Sequence, residues 1–133
     1  NKKEIIIYGN KHKTSDGSCI RDYIHVIDIV NAIKKSINYK FKRNLNIFNL
    51  GTGKGFSVIQ IIQAASKLLK NKPRIKVSKE RFGDVAKLVC SSKKIYKSLK
   101  WKPKNSNILK IINDEITWQK YLKIKKIKKK YIY

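Results

Sequence analysis

Apolar positions recur along this chain in two rhythms, one of strands and one of helices. The run EIIIYG (4–9) is almost continuously apolar and stops at Gly9, which predicts a strand too uniformly apolar to keep one solvated face. The turn-rich NKHKTSDGSC follows. Val26, Val30, Ile33 and Ile37 then fall at steps of four, three and four. That is the spacing of one helix face, and the stripe is expected to pack in the core. LNIFNL (45–50) predicts a short buried strand, ended by GTGKG. Ser57 stands three residues before Gln60, the spacing of a capping box, and opens a helix whose apolar stripe is Val58, Ile61, Ile62, Ala65 and Leu69. RIKVS (74–78) reads as another strand and RFGD (81–84) as a tight loop. A short helix is expected over 92–99, before WKP, where Pro103 bars continuation. Ile108, Ile111, Ile112 and Ile116 mark a last helix reaching about Leu122. Strands alternating with helices predict an α/β unit over 1–122. The basic KIKKIKKKYIY (123–133) is expected to be a frayed, solvated tail.

Composition adds an unusual charge to this pattern. The chain has 133 residues, enough for one domain with a core, and a formal net charge of +25. Such a charge attracts polyanions whatever the fold, so nucleic acid or an anionic surface is one reading. The makeup of the charge favours another. Lysine outnumbers arginine 29 to 4, and Lys, Ile and Asn together make 62 residues, the group favoured by A/T-rich codons. Proteins that grip phosphates use the planar fork of arginine, and this chain is nearly stripped of it. No apolar run approaches 18 residues, which predicts no membrane span. Cys19 and Cys90 are isolated and read as reduced cytosolic thiols, placing the protein in the cytoplasm. Asn1 stands directly before a strand-like run, which suggests part of a longer polypeptide.

Few residues carry obvious chemistry. His12 lies in a lysine-rich loop and is expected at the surface, whereas His25 sits at a strand-to-helix junction and reads as structural. No Ser–His–carboxylate arrangement and no metal-ligand spacing occurs. GTGKGFS has glycines before a helix, as a phosphate loop does, but matches neither established phosphate motif, so a tight strand-to-helix turn competes with anion binding. The window TSDGSCIRDYIHVIDIVNAI (14–33) contains no lysine, yet holds three of the eight acidic residues and Arg21. Arg21 has Asp22 beside it, and Arg81 stands three residues before Asp84. Two arginines kept in a lysine-using chain can clamp a diphosphate, while a carboxylate accepts hydrogen bonds from sugar hydroxyls. Two surface ion pairs of little energetic value are the competing reading.

The segments YGNKHKTSDGSCIRDYIHVIDIVNAI, NIFNLGTGKGFSV and GDVAKLVCSSKKIYKSLKWKP closely resemble the C-terminal third of the UDP-glucose 4-epimerases, which are extended short-chain dehydrogenase/reductases. The resemblance runs from about Ile5 to Trp118. It implies the substrate-binding subdomain of that fold, without the N-terminal Rossmann core. It also implies a site: Ile6, Ile7 and Tyr8 along the uracil, Arg21 and Arg81 on the diphosphate, Asp84 on the ribose, and Tyr23 at the border. Asn49 to Val58 would support that pocket. Val85, Ile95 and Lys100 depart from the family pattern, replacing a proline, an alanine and a glycine. Family members bind NAD on an N-terminal Rossmann domain with G-x-x-G-x-x-G and Tyr-x-x-x-Lys, and pass through a transient 4-keto sugar. The spacing Tyr96–Lys100 sits in a predicted helix and reads as chance. The implied partners are therefore UDP-glucose and UDP-galactose, the Rossmann domain, and a second subunit in a homodimer of the full-length enzyme. Nucleic acid and membrane are not expected. No catalytic residue falls in this segment, which is expected to be inactive alone. A truncated remnant and a basic nucleic-acid-binding module are the alternatives.

Overall fold

The computed structural model describes residues 4–42 and 44–124. β1 (Glu4–Tyr8) leads through the 9–19 loop into β2 (Ile20–Asp22) and α1 (Val26–Ile37). An extended stretch leads to β3 (Gly55–Ser57) and α2 (Val58–Leu69). β4 (Arg74–Ser78), β5 (Lys87–Leu88), α3 (Lys93–Leu99) and α4 (Ile108–Ile124) complete the order. β1 and β4 form a two-stranded parallel ribbon, with Tyr8 opposite Ser78. The other sheet runs β3-β2-β5, with β2 antiparallel to β3 and parallel to β5. This is a mixed α/β arrangement, as the alternating pattern predicts. α4 continues through Lys123 and Ile124; the rest of the basic tail lies outside the described residues.

The capping box at α2 forms as the spacing predicts: the Ser57 hydroxyl accepts from the Gln60 amide at 3.1 Å, and the Gln60 side chain accepts from the Ser57 amide at 2.9 Å. α2 packs against α4. A second cluster lies between α1 and α3, where Ala32, Ile95, Leu99 and Trp101 are buried and Ile24, Phe41, Phe48 and Leu50 close around them.

Three expectations are corrected. The apolar stripe of α1 is not in the core: Val26, Val30, Ile33 and Ile37 are 65%, 54%, 53% and 76% exposed. The helix buries its Asp28 and Ala32 side instead. Residues 45–50 form no strand. Phe48 and Leu50 pack against the core and Leu45 and Ile47 face outward, and among the described residues no strand pairs with them. β1 keeps only Ile7 buried; Ile5, Ile6 and Tyr8 remain exposed, since the ribbon has no covering layer among the described residues.

Candidate functional site

The C-terminal end of β1, the start and middle of β2, the start of α2 and the 81–84 turn converge on a cavity of about 280 Å³. Its wall is Ile6, Ile7, Tyr8, Cys19, Arg21, Val58, Arg81 and Asp84. Six of the seven residues singled out from the sequence thus meet in one place, from segments more than sixty residues apart. Tyr23 does not line the cavity. It lies just beyond β2, partly buried; burial pushes its phenol up, and the positive charge of Arg21 pulls it part-way back. Val58, at the end of the segment expected to support the pocket, lines the wall, and so does Cys19, which was not anticipated. The alternation of an extended chain, which places Cys19 on the side of Arg21, is the signal that finds it.

The two arginines are held differently. Arg21 donates through Nη1 to the carbonyls of Ile20 (2.9 Å) and Val85 (2.8 Å), and its Nη2 lies 3.6 Å from Asp84 Oδ1. The Arg81 guanidinium carbon lies over the Tyr8 ring, 3.7 Å from its centroid. A guanidinium stacked on a ring keeps its in-plane donors free for an anion. The pairing suggested by neighbourhood in the sequence is therefore corrected. Arg21 turns to Asp84 rather than Asp22, because successive side chains of β2 point to opposite faces. Val85 meets the site through its carbonyl, which the proline of the family pattern would also supply.

Asp22 serves the far face of β2. Its Oδ1 accepts from the Thr52 amide (2.9 Å) and hydroxyl (2.6 Å), and its Oδ2 from the Gly53 amide (3.0 Å). Gly51 donates to Ser92 Oγ at 3.0 Å and the Lys54 amide to Thr52 Oγ1 at 3.0 Å. Every amide from 51 to 54 is thus engaged inside the protein, two of them by a carboxylate. An anion at this loop would meet the Asp22 charge and no free donor, so the phosphate-loop reading of GTGKG fails and the tight turn holds. The same geometry answers whether NAD fits here: these glycines build no dinucleotide cradle. Gly51 is required for another reason, since a Cβ there would lie 2.2 Å from Cys90 Sγ and 2.6 Å from Asp22 Oδ2.

Asp16 and Asp28 act in the same way as Asp22. Asp16 accepts from the Ser18 amide (3.0 Å), the Ser18 hydroxyl (2.7 Å) and the Ser57 hydroxyl, tying the 9–19 loop to the start of α2. Asp28 accepts from the Lys104 amide (3.1 Å), the Asn105 amide (2.8 Å) and side chain (3.0 Å), and the Ser106 hydroxyl (2.6 Å). Burial alone would raise all three carboxyls; the hydrogen bonds outweigh it and hold each below the ordinary carboxylate value. The acidic residues of the lysine-free window are therefore three staples, each fastening a distant segment around β2 and α1. His25 completes the set as the structural histidine expected: its Nδ1 accepts from the Ile27 amide at 3.1 Å as the α1 N-cap, and its Nε2 meets Asp114 Oδ2 at 3.0 Å. His12, expected at the surface, is instead enclosed, with its side chain 4% exposed.

Cys19 and Cys90 are free thiols, and burial pushes Cys90 up, away from reactivity. Among the described residues no cluster of three metal-ligating side chains occurs, and no helix is long and apolar enough to cross a membrane.

The family model described as GDP-mannose 4,6 dehydratase matches residues 1–113. The chain belongs to that family. Its relatives include 4-epimerases of UDP-sugars. UDP-glucose 4-epimerase of Halalkalibacterium halodurans is 36% identical over 120 residues, 90% of this chain and 36% of the relative. UDP-arabinose 4-epimerase 1 of Arabidopsis thaliana is 38% identical over 114 residues, 86% of this chain and 27% of the relative. Among solved structures, UDP-glucose 4-epimerase of Bifidobacterium longum in complex with NAD+ and UDP superposes with a TM-score of 0.83 at 33% identity, over 90% of this chain and 35% of that one. The Stenotrophomonas maltophila UDP-glucose-4-epimerase, with NAD and a formylated UDP-arabinopyranose, gives 0.83 at 29%, over 91% and 36%. The chain thus spans about a third of the length of the proteins it matches.

Proposed function

We propose that this chain is the UDP-sugar-binding portion of an NAD-dependent UDP-glucose 4-epimerase, which interconverts UDP-glucose and UDP-galactose. The observation that carries this reading is the 280 Å³ cavity, where two of only four arginines meet beside one aspartate and the end of β1. The opening formed by Ile6, Ile7 and Tyr8 takes the uracil. Arg21 and Arg81 face the diphosphate, with Arg21 held by two backbone carbonyls and Arg81 braced on Tyr8. Asp84 accepts from the ribose hydroxyls, and Tyr23 borders the pocket. The two positive charges against one negative leave a net attraction for a diphosphate, charge-assisted and strongest where water is excluded.

NAD and the groups that handle the sugar's protons are assigned to a Rossmann domain outside this chain, and the chain alone is inactive. The uncovered apolar stripe of α1, the outward Leu45 and Ile47, and the bare β1–β4 ribbon support that assignment, since apolar faces of this extent ordinarily have a partner. In the cytoplasm the complete enzyme would work as a homodimer. The test is a coupled assay for UDP-glucose formation from UDP-galactose, run on the protein carrying this chain with its cofactor domain. Turnover that is lost in Arg21→Ala supports the reading, and a folded, NAD-loaded protein without turnover on either sugar refutes it.

A further inference from the structure

At the end of the β1–β4 ribbon the two strands part. Gly9 still donates to Ser78 at 3.0 Å, but residues 10–18 then turn away on one side and 79–81 on the other. The His12 ring lies in the fork. Its Nδ1 is 3.3 Å from Glu80 Oε1, and a Cβ added to Gly9 would lie 2.7 Å from its Nε2 and 3.4 Å from Glu80 Cβ. Glu80 offers only acceptors, so the contact favours a proton on Nδ1. Nε2 is buried and meets no hydrogen-bond partner among the described residues, so the contact to Glu80 is the polar anchor of the ring. The loop that carries it is tied by hydrogen bonds: the His12 amide donates to the Gly17 carbonyl at 3.0 Å, Thr14 Oγ1 to the Ser18 carbonyl at 2.8 Å, and Asp16 ties the loop to Ser57.

Both contacts of the ring fall one residue from the cavity wall. Gly9 follows Tyr8, and Glu80 precedes Arg81, the two residues stacked at 3.7 Å. We propose that His12 and Glu80 are positioning residues for the diphosphate site: the imidazole wedge sets the separation of residues 8–9 from 80–81 and thereby holds the Arg81 guanidinium over Tyr8. The inference rests on the UDP reading above. It also explains Gly9, where any side chain would displace the wedge and where φ is +78°.

The test is a set of double-mutant cycles on the protein carrying this chain with its cofactor domain, read as the dissociation constant of UDP by calorimetry. His12→Leu and Glu80→Ala each weaken UDP binding about fivefold, the upper scale of one partly exposed charge contact. On an Arg81→Ala background neither changes the constant by more than about twofold, because the residue they position is gone. His12→Asn, whose amide can donate to Glu80, recovers most of the affinity. Should His12→Leu fail to fold, Glu80→Ala decides alone, its side chain being half exposed. Unchanged affinity in folded variants overturns the inference, and so do losses that add to that of Arg81→Ala, which mark a general structural role. If the unsubstituted protein does not bind UDP at all, the UDP reading falls and this inference with it.

Discussion

Removing the Asp28 carboxylate tests the staple role of the aspartates most severely. Asp28 is 1% exposed and accepts four hydrogen bonds from residues 104–106. Its backbone carbonyl accepts from the Trp101 indole at 3.0 Å, which ties α1 to the centre of the cluster. Hydrogen bonds to a charged acceptor each contribute about 1.5–3 kcal/mol net. Four cannot simply be summed, because they share one loop and the buried charge itself costs several kcal/mol. The expected loss for Asp28→Ala is about 3 kcal/mol, against about 5–15 kcal/mol of stability for a typical domain. Asp28→Asn keeps the shape but presents N–H groups to donors, and is expected to lose about 2 kcal/mol by the same principle. Urea unfolding followed by tryptophan fluorescence reads the change directly, since Trp101 is buried in the same cluster; the midpoint should fall by about 1–3 M. A loss under about 1 kcal/mol for Asp28→Ala would refute the view that this carboxylate holds the 104–106 loop.

Two lysines adopt left-handed backbone, Lys70 (φ 49°) and Lys100 (φ 50°), each as a helix C-cap. A residue with a Cβ costs about 1–2 kcal/mol there. Lys100→Gly and Lys70→Gly are therefore each expected to raise stability by about 0.5–1 kcal/mol after the entropy of glycine is set against the gain, as thermal unfolding will show. The depressed carboxyls of Asp16, Asp22 and Asp28 set the acid limb. Their folded values lie below the unfolded one, about 3.9. The stability they contribute is thus complete above that value and is lost as pH falls through the lower folded values. The unfolding midpoint should drop steeply below about pH 4, and less steeply in Asp28→Asn; an unchanged acid limb in that variant would contradict the assignment.

Most local signals of the sequence survived folding, and what they could not carry was which distant partner each face or side chain would meet. The Ser57–Gln60 box and the strands at 4–8 and 74–78 form where the pattern puts them, because caps and apolar runs act within a few residues. Periodicity fixed that Val26, Val30, Ile33 and Ile37 share a face, but could not tell a core face from an exposed one. The strand expected at 45–50 fails for the same reason, as pairing requires an edge that the apolar run does not encode. The arginines were recognisable as rare residues, yet the partner of Arg21 is Asp84, sixty-three positions away, not its neighbour. The role of Asp28 left no trace in its surroundings, since its donors lie at 104–106. Within the lysine-free window 14–33, Asp16, Asp22, His25 and Asp28 are each committed to several hydrogen bonds, which accounts for those four positions and not for exposed ones such as Val26 and Val30.

The central claim is that the cavity between β1, β2 and the 81–84 turn holds the diphosphate of a UDP-sugar. Its most direct test is the dissociation constant for UDP beside that for uridine, measured by calorimetry on the protein carrying this chain, with and without Arg81→Ala. UDP should bind more tightly than uridine, and Arg81→Ala should weaken UDP at least about tenfold, about 1.4 kcal/mol, while leaving uridine nearly unchanged. Equal affinity for UDP and uridine, or a loss for UDP well short of tenfold, would contradict it.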